Sequence, residues 1–193
     1  MLLLKMYLTM SPLILAGISN MVFTKTNIYK KLRKPIDNNK ILKDGQRVFG
    51  DNKTWIGFVS MVIFYCVFQI ICGIVCNYFC LNTYNELYNI QNNTVLLNCI
   101  FGILCGLIYM ILELPNSFIK RRLHIASGQT ESGFKGILFF VIDQIDSLIG
   151  VMLLLTLFSN IGLSGYIRYL SVGALTHIII NLILYLLKVR KNL

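Results

Sequence analysis

The chain has 193 residues, 56% of them hydrophobic, with 18 basic and 8 acidic side chains and a mean hydropathy of +0.69. A soluble surface needs roughly one charged residue in four, so an ordinary soluble enzyme and a disordered chain are both excluded. The few charges still sum to +10 at neutral pH, which points to nucleic acid, an anionic membrane face or a phosphorylated substrate, depending on where they sit.

Apolar runs long enough to cross about 30 Å of hydrocarbon occur at 1–23, 55–81, 94–114, 136–158 and 166–187. The first does not read as a cleaved signal peptide. Only Lys5 is basic near its start, no small-x-small cleavage site stands out, and the strongly basic stretch follows the apolar one.

Segment 24–54 carries Lys25, Lys30, Lys31, Arg33, Lys34, Lys40, Lys43, Arg47 and Lys53. A polybasic lipid-binding tail has no need of the Gly45, Phe49, Gly50, Asp51, Thr54 and Trp55 interspersed among them. Glycine permits close backbone approach, so backbone N–H groups near Gly50, with Lys53 and Thr54 at the entrance of the next helix, suit a phosphate cradle. GxxxxGK[ST] is absent, so the segment is not a Walker A loop.

In the second run, Cys72, Cys76 and Cys80 share a helix face. They and the other cysteines read as packing residues, because none forms a CxxC and both histidines are distant in sequence. Loop 82–93 holds no basic residue. The third run contains Gly102 and Gly106 in a GxxxG, which suits close helix packing, and ends on Glu113.

Segment 115–135 brings Lys120, Arg121, Arg122 and Lys135. The fourth run then carries Asp143 and, three residues on along the same helical face, Asp146. Loop 159–165 again lacks basic residues. In the last run His177, Asn181 and Tyr185 form a polar face, whose default role is hydrogen bonding between helices. The tail adds Lys188, Arg190 and Lys191.

Every lysine and arginine except Lys5 and Arg168 thus falls on alternate sides of consecutive spans. The positive-inside rule predicts an all-α, integral membrane bundle of five transmembrane helices, N-terminus outside and C-terminus cytoplasmic. A single domain over 1–193 is expected, multi-pass in the cell membrane, with two cytoplasmic loops at about 24–54 and 115–135. Carboxylates inside spans are costly and normally partnered. Glu113, Asp143 and Asp146 all fall at similar depth on the cytoplasmic side, beside Lys120, Arg121 and Arg122. Such a set suits a polyanion held partly by cations and partly through Mg²⁺, which takes one or two carboxylates plus substrate phosphates. Pairing of the acids with nearby arginines to hold the bundle is the competing reading.

These motifs, taken together, resemble the CDP-archaeol synthases. The resemblance rests on Pro35-Ile36-Asp37, Asp44-Gly45, Arg47-x-Phe49-Gly50 and Lys53-Thr54-Trp55-x-Gly57-Phe58. It continues through Ser117-Phe118-Ile119-Lys120-Arg121-Arg122-Leu123 and Asp143-Gln144-x-Asp146 to His177-x-x-x-Asn181, so it spans nearly the whole chain in family order. Through Ser-x-x-Lys-Arg followed by Asp-x-x-Asp it extends to the CDP-diacylglycerol synthases.

The resemblance implies a membrane cytidylyltransferase that uses CTP and Mg²⁺ to place CMP on an isoprenoid glycerol-ether phosphate, with release of pyrophosphate, in phospholipid biosynthesis. It implies direct attack of the lipid phosphate on the α-phosphorus of CTP. Asp143 and Asp146 would bind metal, with Glu113 as a third ligand, and Lys120 and Arg121 would act at the reacting phosphates beside them. Arg47, Gly50, Lys53, Thr54, Ser117, Arg122, His177 and Asn181 would contact substrate.

Three departures stand out: Leu112-Glu113 where the family has Gly-Asp, Ile56 where it has arginine, and the unusual Leu114-Pro115-Asn116. Diacyl phosphatidate is the alternative lipid substrate. A small cation transporter using the intramembrane carboxylates is the alternative class, disfavoured because the acids cluster at one depth and no internal repeat is visible. CTP, a lipid phosphate and the bilayer are the expected partners. No nucleic acid is required, and the sequence leaves a homodimer open.

Overall fold

The computed structural model describes residues 1–129 and 132–188. Among these residues are six α-helices: α1 (Leu2–Phe23), α2 (Asn27–Leu32), α3 (Trp55–Tyr78), α4 (Val95–Arg122), α5 (Gly133–Phe158) and α6 (Gly162–Leu186). A single 3-10 turn, Asn82–Tyr84, follows α3, and no strand occurs among the described residues. All but α2 are long and apolar enough to cross a membrane, so the chain is a five-span bundle as its hydropathy requires.

Two expected boundaries move. The third span does not stop ahead of Pro115: α4 runs on through it to Arg122, so Ser117, Lys120, Arg121 and Arg122 sit on a helix rather than in a loop. Proline normally ends a helix. Here the extension is held by side-chain bonds from Asn116 and Lys120 to α5. The fourth and fifth spans, α5 and α6, begin earlier than expected, at Gly133 and Gly162.

Segment 24–54 is folded rather than trailing. Thr26 caps α2 by accepting from Tyr29 N at 3.2 Å. The chain then doubles back through antiparallel bridges joining Pro35 to Thr54 and Ile41 to Arg47. Thr54 caps α3 by accepting from Gly57 N at 3.2 Å, and its hydroxyl is 2.8 Å from that of Tyr29.

Contacts between connecting segments establish which lie at the same end. Arg122 reaches Asp44, and Lys53 reaches Glu113, so both basic segments share one end of the bundle. At the other end Gln91 Nε2 donates to Phe158 O at 3.2 Å, and Glu86 N donates to Thr9 Oγ1 at 3.0 Å. The N-terminus therefore lies opposite the basic end. Lys188 is described, whereas Arg190 and Lys191 fall outside the described residues.

The tightest helix pair is α3 with α4. A Cβ placed on Gly102 would sit 2.7 Å from Cys66 Cα, and one on Gly106 would sit 2.7 Å from Val62 Cα. The expected close packing at this GxxxG is therefore real, because glycine alone lets these backbones meet. At the far end a buried amide network reinforces the pair. Gln69 donates to Tyr88 and Asn98, and Tyr88 OH donates to Asn98 Oδ1 at 2.6 Å.

Gly106→Ala forces α3 and α4 apart, because the new methyl meets backbone that no rotamer change can move. The expected cost is about 1–3 kcal/mol, read as a lowered unfolding midpoint in detergent.

Candidate active site

At the basic end α4, α5 and α6 line an open polar cavity of about 340 Å³, flanked by the first basic segment. That volume lies within the range of small-molecule sites. Glu113, Asn116, Ser117, Lys120 and Arg121 reach it from α4, Asp143 and Asp146 from α5, and His177 and Asn181 from α6. Phe49, Asn52 and Lys53 come from the first segment, and Ser127 and Gly128 from the turn after α4.

Each acid in the cavity is matched by a donor. Glu113 pairs with Lys53. Asp143 pairs with Lys120, whose Nζ donates to Oδ1 at 2.6 Å. Asp146 accepts from Ser147 N at 2.6 Å and from Asn116 Nδ2 at 2.8 Å. Asn116 Nδ2 also donates to Asp143 Oδ1 at 2.6 Å, so one carboxamide bridges both aspartates.

Arg121 differs from the two lysines. It is 7% exposed, makes no ion pair among the described residues, and bonds through Nη1 to Ser127 Oγ at 3.2 Å. Its Nε is buried without a partner. A buried guanidinium of this kind is poised for an anion.

His177 and Asn181 line the cavity while docking α6 onto α5. Asn181 Nδ2 donates to Gln144 Oε1 at 2.9 Å, and His177 Nδ1 lies 3.2 Å from Gln144 O. The helix-docking role expected by default is present, and the same two residues face the site.

Other expected substrate contacts lie elsewhere. Arg47 does not line the cavity: its guanidinium is engaged by Asp37 and Asp51. Arg122 bonds Asp44 Oδ1 at 3.1 Å and Arg47 O, and stacks 5.0 Å over Phe118. Thr54 is buried at 1% exposure in its capping and Tyr29 contacts. Gly50 supports the site from behind. With φ at +93°, it presses against Ser127 so closely that a Cβ there would lie 2.1 Å from Ser127 Oγ.

Sequence reasoning gave no role to the organiser of that loop, Asp37. Its buried carboxylate accepts from Asn39 N (3.1 Å), Phe49 N (3.0 Å), Gly50 N (3.1 Å) and the Arg47 guanidinium. Burial alone would raise its pKa. The Arg47 bond and the backbone N–H groups outweigh that and hold it down at about 2. The Asp37 partner in turn raises the pKa of Arg47.

The expected three-acid metal set is not formed. Among the described residues no group of three or more His, Cys, Asp or Glu side chains is placed to hold a metal. Glu113 pairs with Lys53 here, as Asp143 does with Lys120. Asp143 and Asp146, one helical turn apart and joined through Asn116, remain a hard-oxygen pair of the kind that Mg²⁺ takes together with substrate phosphates.

Beside the cavity lies an apolar groove between α1 and α6. Met21, Tyr109, His177 and Asn181 line both, and Leu13, Gly17 and Ile180 line the groove.

Residues 1–192 match the family described as CarS-like, CDP-archaeol synthase. A CDP-archaeol synthase of Pyrobaculum islandicum is 29% identical over 162 residues, covering 84% of this chain and 83% of the relative. One of Sulfurisphaera tokodaii is 30% identical over 159 residues, covering 81% and 79%. The fold is similar to the solved structure of an intramembrane enzyme for archaeal membrane lipid biosynthesis, with a TM-score of 0.60 at 20% identity, covering 91% of this chain and 92% of that one.

Because the folded-state pKa of Asp37 is depressed, its stabilisation of the loop is complete above about pH 4 and is lost as pH falls through its folded pKa. Asp37→Asn removes this dependence. Limited proteolysis of segment 33–54 at neutral pH should then be faster than in the wild type, and acid should no longer add an opening step.

Proposed function

The chain belongs to the CarS-like CDP-archaeol synthase family, and on that premise we propose that it is a CTP-dependent cytidylyltransferase. It converts a lipid phosphate to the CDP-activated lipid and releases pyrophosphate, a step of membrane lipid biosynthesis. The curated relatives' description supports an isoprenoid glycerol-ether phosphate as the lipid. The basic end of the bundle is assigned to the cytoplasm by the positive-inside rule, which gives the cavity access to CTP.

One observation carries this reading: a cavity holding Lys53, Lys120 and Arg121 beside two bridged aspartates shares Met21, Tyr109, His177 and Asn181 with an adjacent apolar groove. A phosphate ester with hydrocarbon chains has that same division of character. The groove between α1 and α6 takes the chains, and the polar cavity takes the phosphates. Gly17 faces the groove with open space, since a Cβ there would meet no atom within 4 Å.

In the reaction a lipid phosphate oxygen forms a bond to the α-phosphorus of CTP, and the bond from that phosphorus to the β-phosphate bridging oxygen breaks. The electron pair leaves with pyrophosphate. A phosphate monoester is largely ionised at neutral pH, so no separate base is needed. The protein's contribution is positioning and charge neutralisation.

Arg121, free of any ion pair among the described residues, suits the leaving pyrophosphate. Lys120 and Lys53 leave their carboxylates for the incoming phosphates. Asp143 and Asp146 would hold Mg²⁺, which when bound supplies Lewis-acid polarisation of the phosphoryl oxygens. The acids lie together at one end rather than along the bundle, which does not favour an ion-conducting path.

The test is turnover of the purified chain with CTP and MgCl₂ on a panel of ether and ester lipid phosphates. CDP-lipid and pyrophosphate are expected in equal amounts; absence of both products with every lipid would sink the reading. Asp143→Asn or Asp146→Asn should lower turnover by about 100-fold or more with the fold intact. Gly17→Leu should raise KM for the lipid phosphate and leave KM for CTP unchanged.

A further inference from the structure

Asn116 stands outside every residue role read from the sequence, yet its carboxamide lies between the two aspartates. It is 8% exposed, and its Nδ2 donates to Asp143 Oδ1 at 2.6 Å and to Asp146 Oδ2 at 2.8 Å. Its own oxygen, Oδ1, is buried and accepts no hydrogen bond. A buried acceptor left dry is unfavourable, and the same amide has its donors fully committed. The group is satisfied on one side only.

Two carboxylates three residues apart on one helix face also repel each other when both are ionised. In the structure that repulsion is relieved by N–H donors, from Asn116 to both acids and from Lys120 to Asp143. Neutral amide hydrogens balance a pair of carboxylates poorly, whereas a divalent cation balances them fully.

We propose that Asn116 is an amide-oxygen ligand of the divalent cation held by Asp143 and Asp146, and that its present donor contacts are the resting state of that ligand. Half a turn of the carboxamide about its Cβ–Cγ bond exchanges Oδ1 and Nδ2, which are nearly equal in shape. The oxygen then occupies the place where the two carboxylates converge, and no backbone atom has to move. The turn withdraws two donors that a cation makes redundant and gives the stranded oxygen a positive partner. The same cation displaces Lys120 Nζ from Asp143, which frees that ammonium for a phosphate. Backbone and side-chain amide oxygens are ordinary ligands of hard divalent ions. The inference rests on the reading above only in that Asp143 and Asp146 hold the ion.

Mn²⁺ binding to the purified full-length chain, followed by electron paramagnetic resonance with and without CTP, tests this directly. Asn116→Ala should weaken Mn²⁺ binding by about 10-fold or more while helix content is retained. Asn116→Asp, which keeps an oxygen and loses the donors, should bind Mn²⁺ at least as tightly as the wild type. Asp143→Asn should abolish the signal, which locates it at this site.

Wild-type Mn²⁺ affinity in Asn116→Ala would overturn the proposal. So would weakened binding in Asn116→Asp, the result for a residue that serves only as a donor clamp, or absence of Mn²⁺ binding to the wild type under both conditions. Should Asn116→Ala not fold, the Asn116→Asp titration decides alone. Failure here leaves wild-type formation of CDP-lipid unchanged, whereas failure of the enzymatic reading removes that product.

Discussion

A carboxylate set inside a membrane bundle has no bulk water to share its charge with, so something in the protein must neutralise it. Glu113 and Asp143 are met in this way by Lys53 and Lys120, while Asp146 is hydrogen-bonded by the Asn116 carboxamide and Ser147 N. Much of the basic end follows from that requirement. It explains why α4 continues past Pro115, since the residues that answer the acids of α5 lie on the added turns. It also explains why the first basic segment is folded down over the bundle, since Lys53 must reach Glu113. The same pairing makes a near-neutral resting cavity out of residues that, once separated, present strong positive charge to a polyanion.

Around that cavity the protein spends other charges on architecture. The Asp37 clasp gathers Arg47 and three backbone N–H groups, and Arg122 ties the end of α4 to Asp44 and to the Arg47 carbonyl. These contacts hold Gly50 against Ser127, and Ser127 in turn holds the buried Arg121. A chain of contacts therefore links a surface loop to the one cavity cation that makes no ion pair among the described residues.

Much of this was legible in the sequence. Hydropathy gives five spans because the membrane demands long apolar helices, and alternation of basic segments gives their sharing of one end. The three acids were found because burial makes carboxylates rare in spans. What the sequence hid was who partners whom. Arg47, Arg122 and Thr54 read as substrate contacts because a cation or hydroxyl in a basic segment looks the same whether its partner is substrate or protein. Only the fold shows Asp37 and Asp51 taking Arg47, and Tyr29 taking Thr54. Asn116 gives no signal of this kind, because a neutral amide carries no charge and Pro115 beside it suggests that the helix has ended. Its position becomes evident only when α4 is seen to continue alongside α5.

The junction of polar cavity and apolar groove, lined on both sides by Tyr109, His177 and Asn181, has a kinetic corollary. On the proposed reading the two substrates arrive from different phases. The nucleotide is counted in moles per litre of water. The lipid is counted as a mole fraction of the bilayer or micelle, reached by diffusion in two dimensions. Diluting an assay with inert detergent at fixed total lipid then slows the reaction as though substrate had been removed, although its molarity is unchanged. In a cell, the composition of the surrounding bilayer becomes a rate-setting variable in its own right.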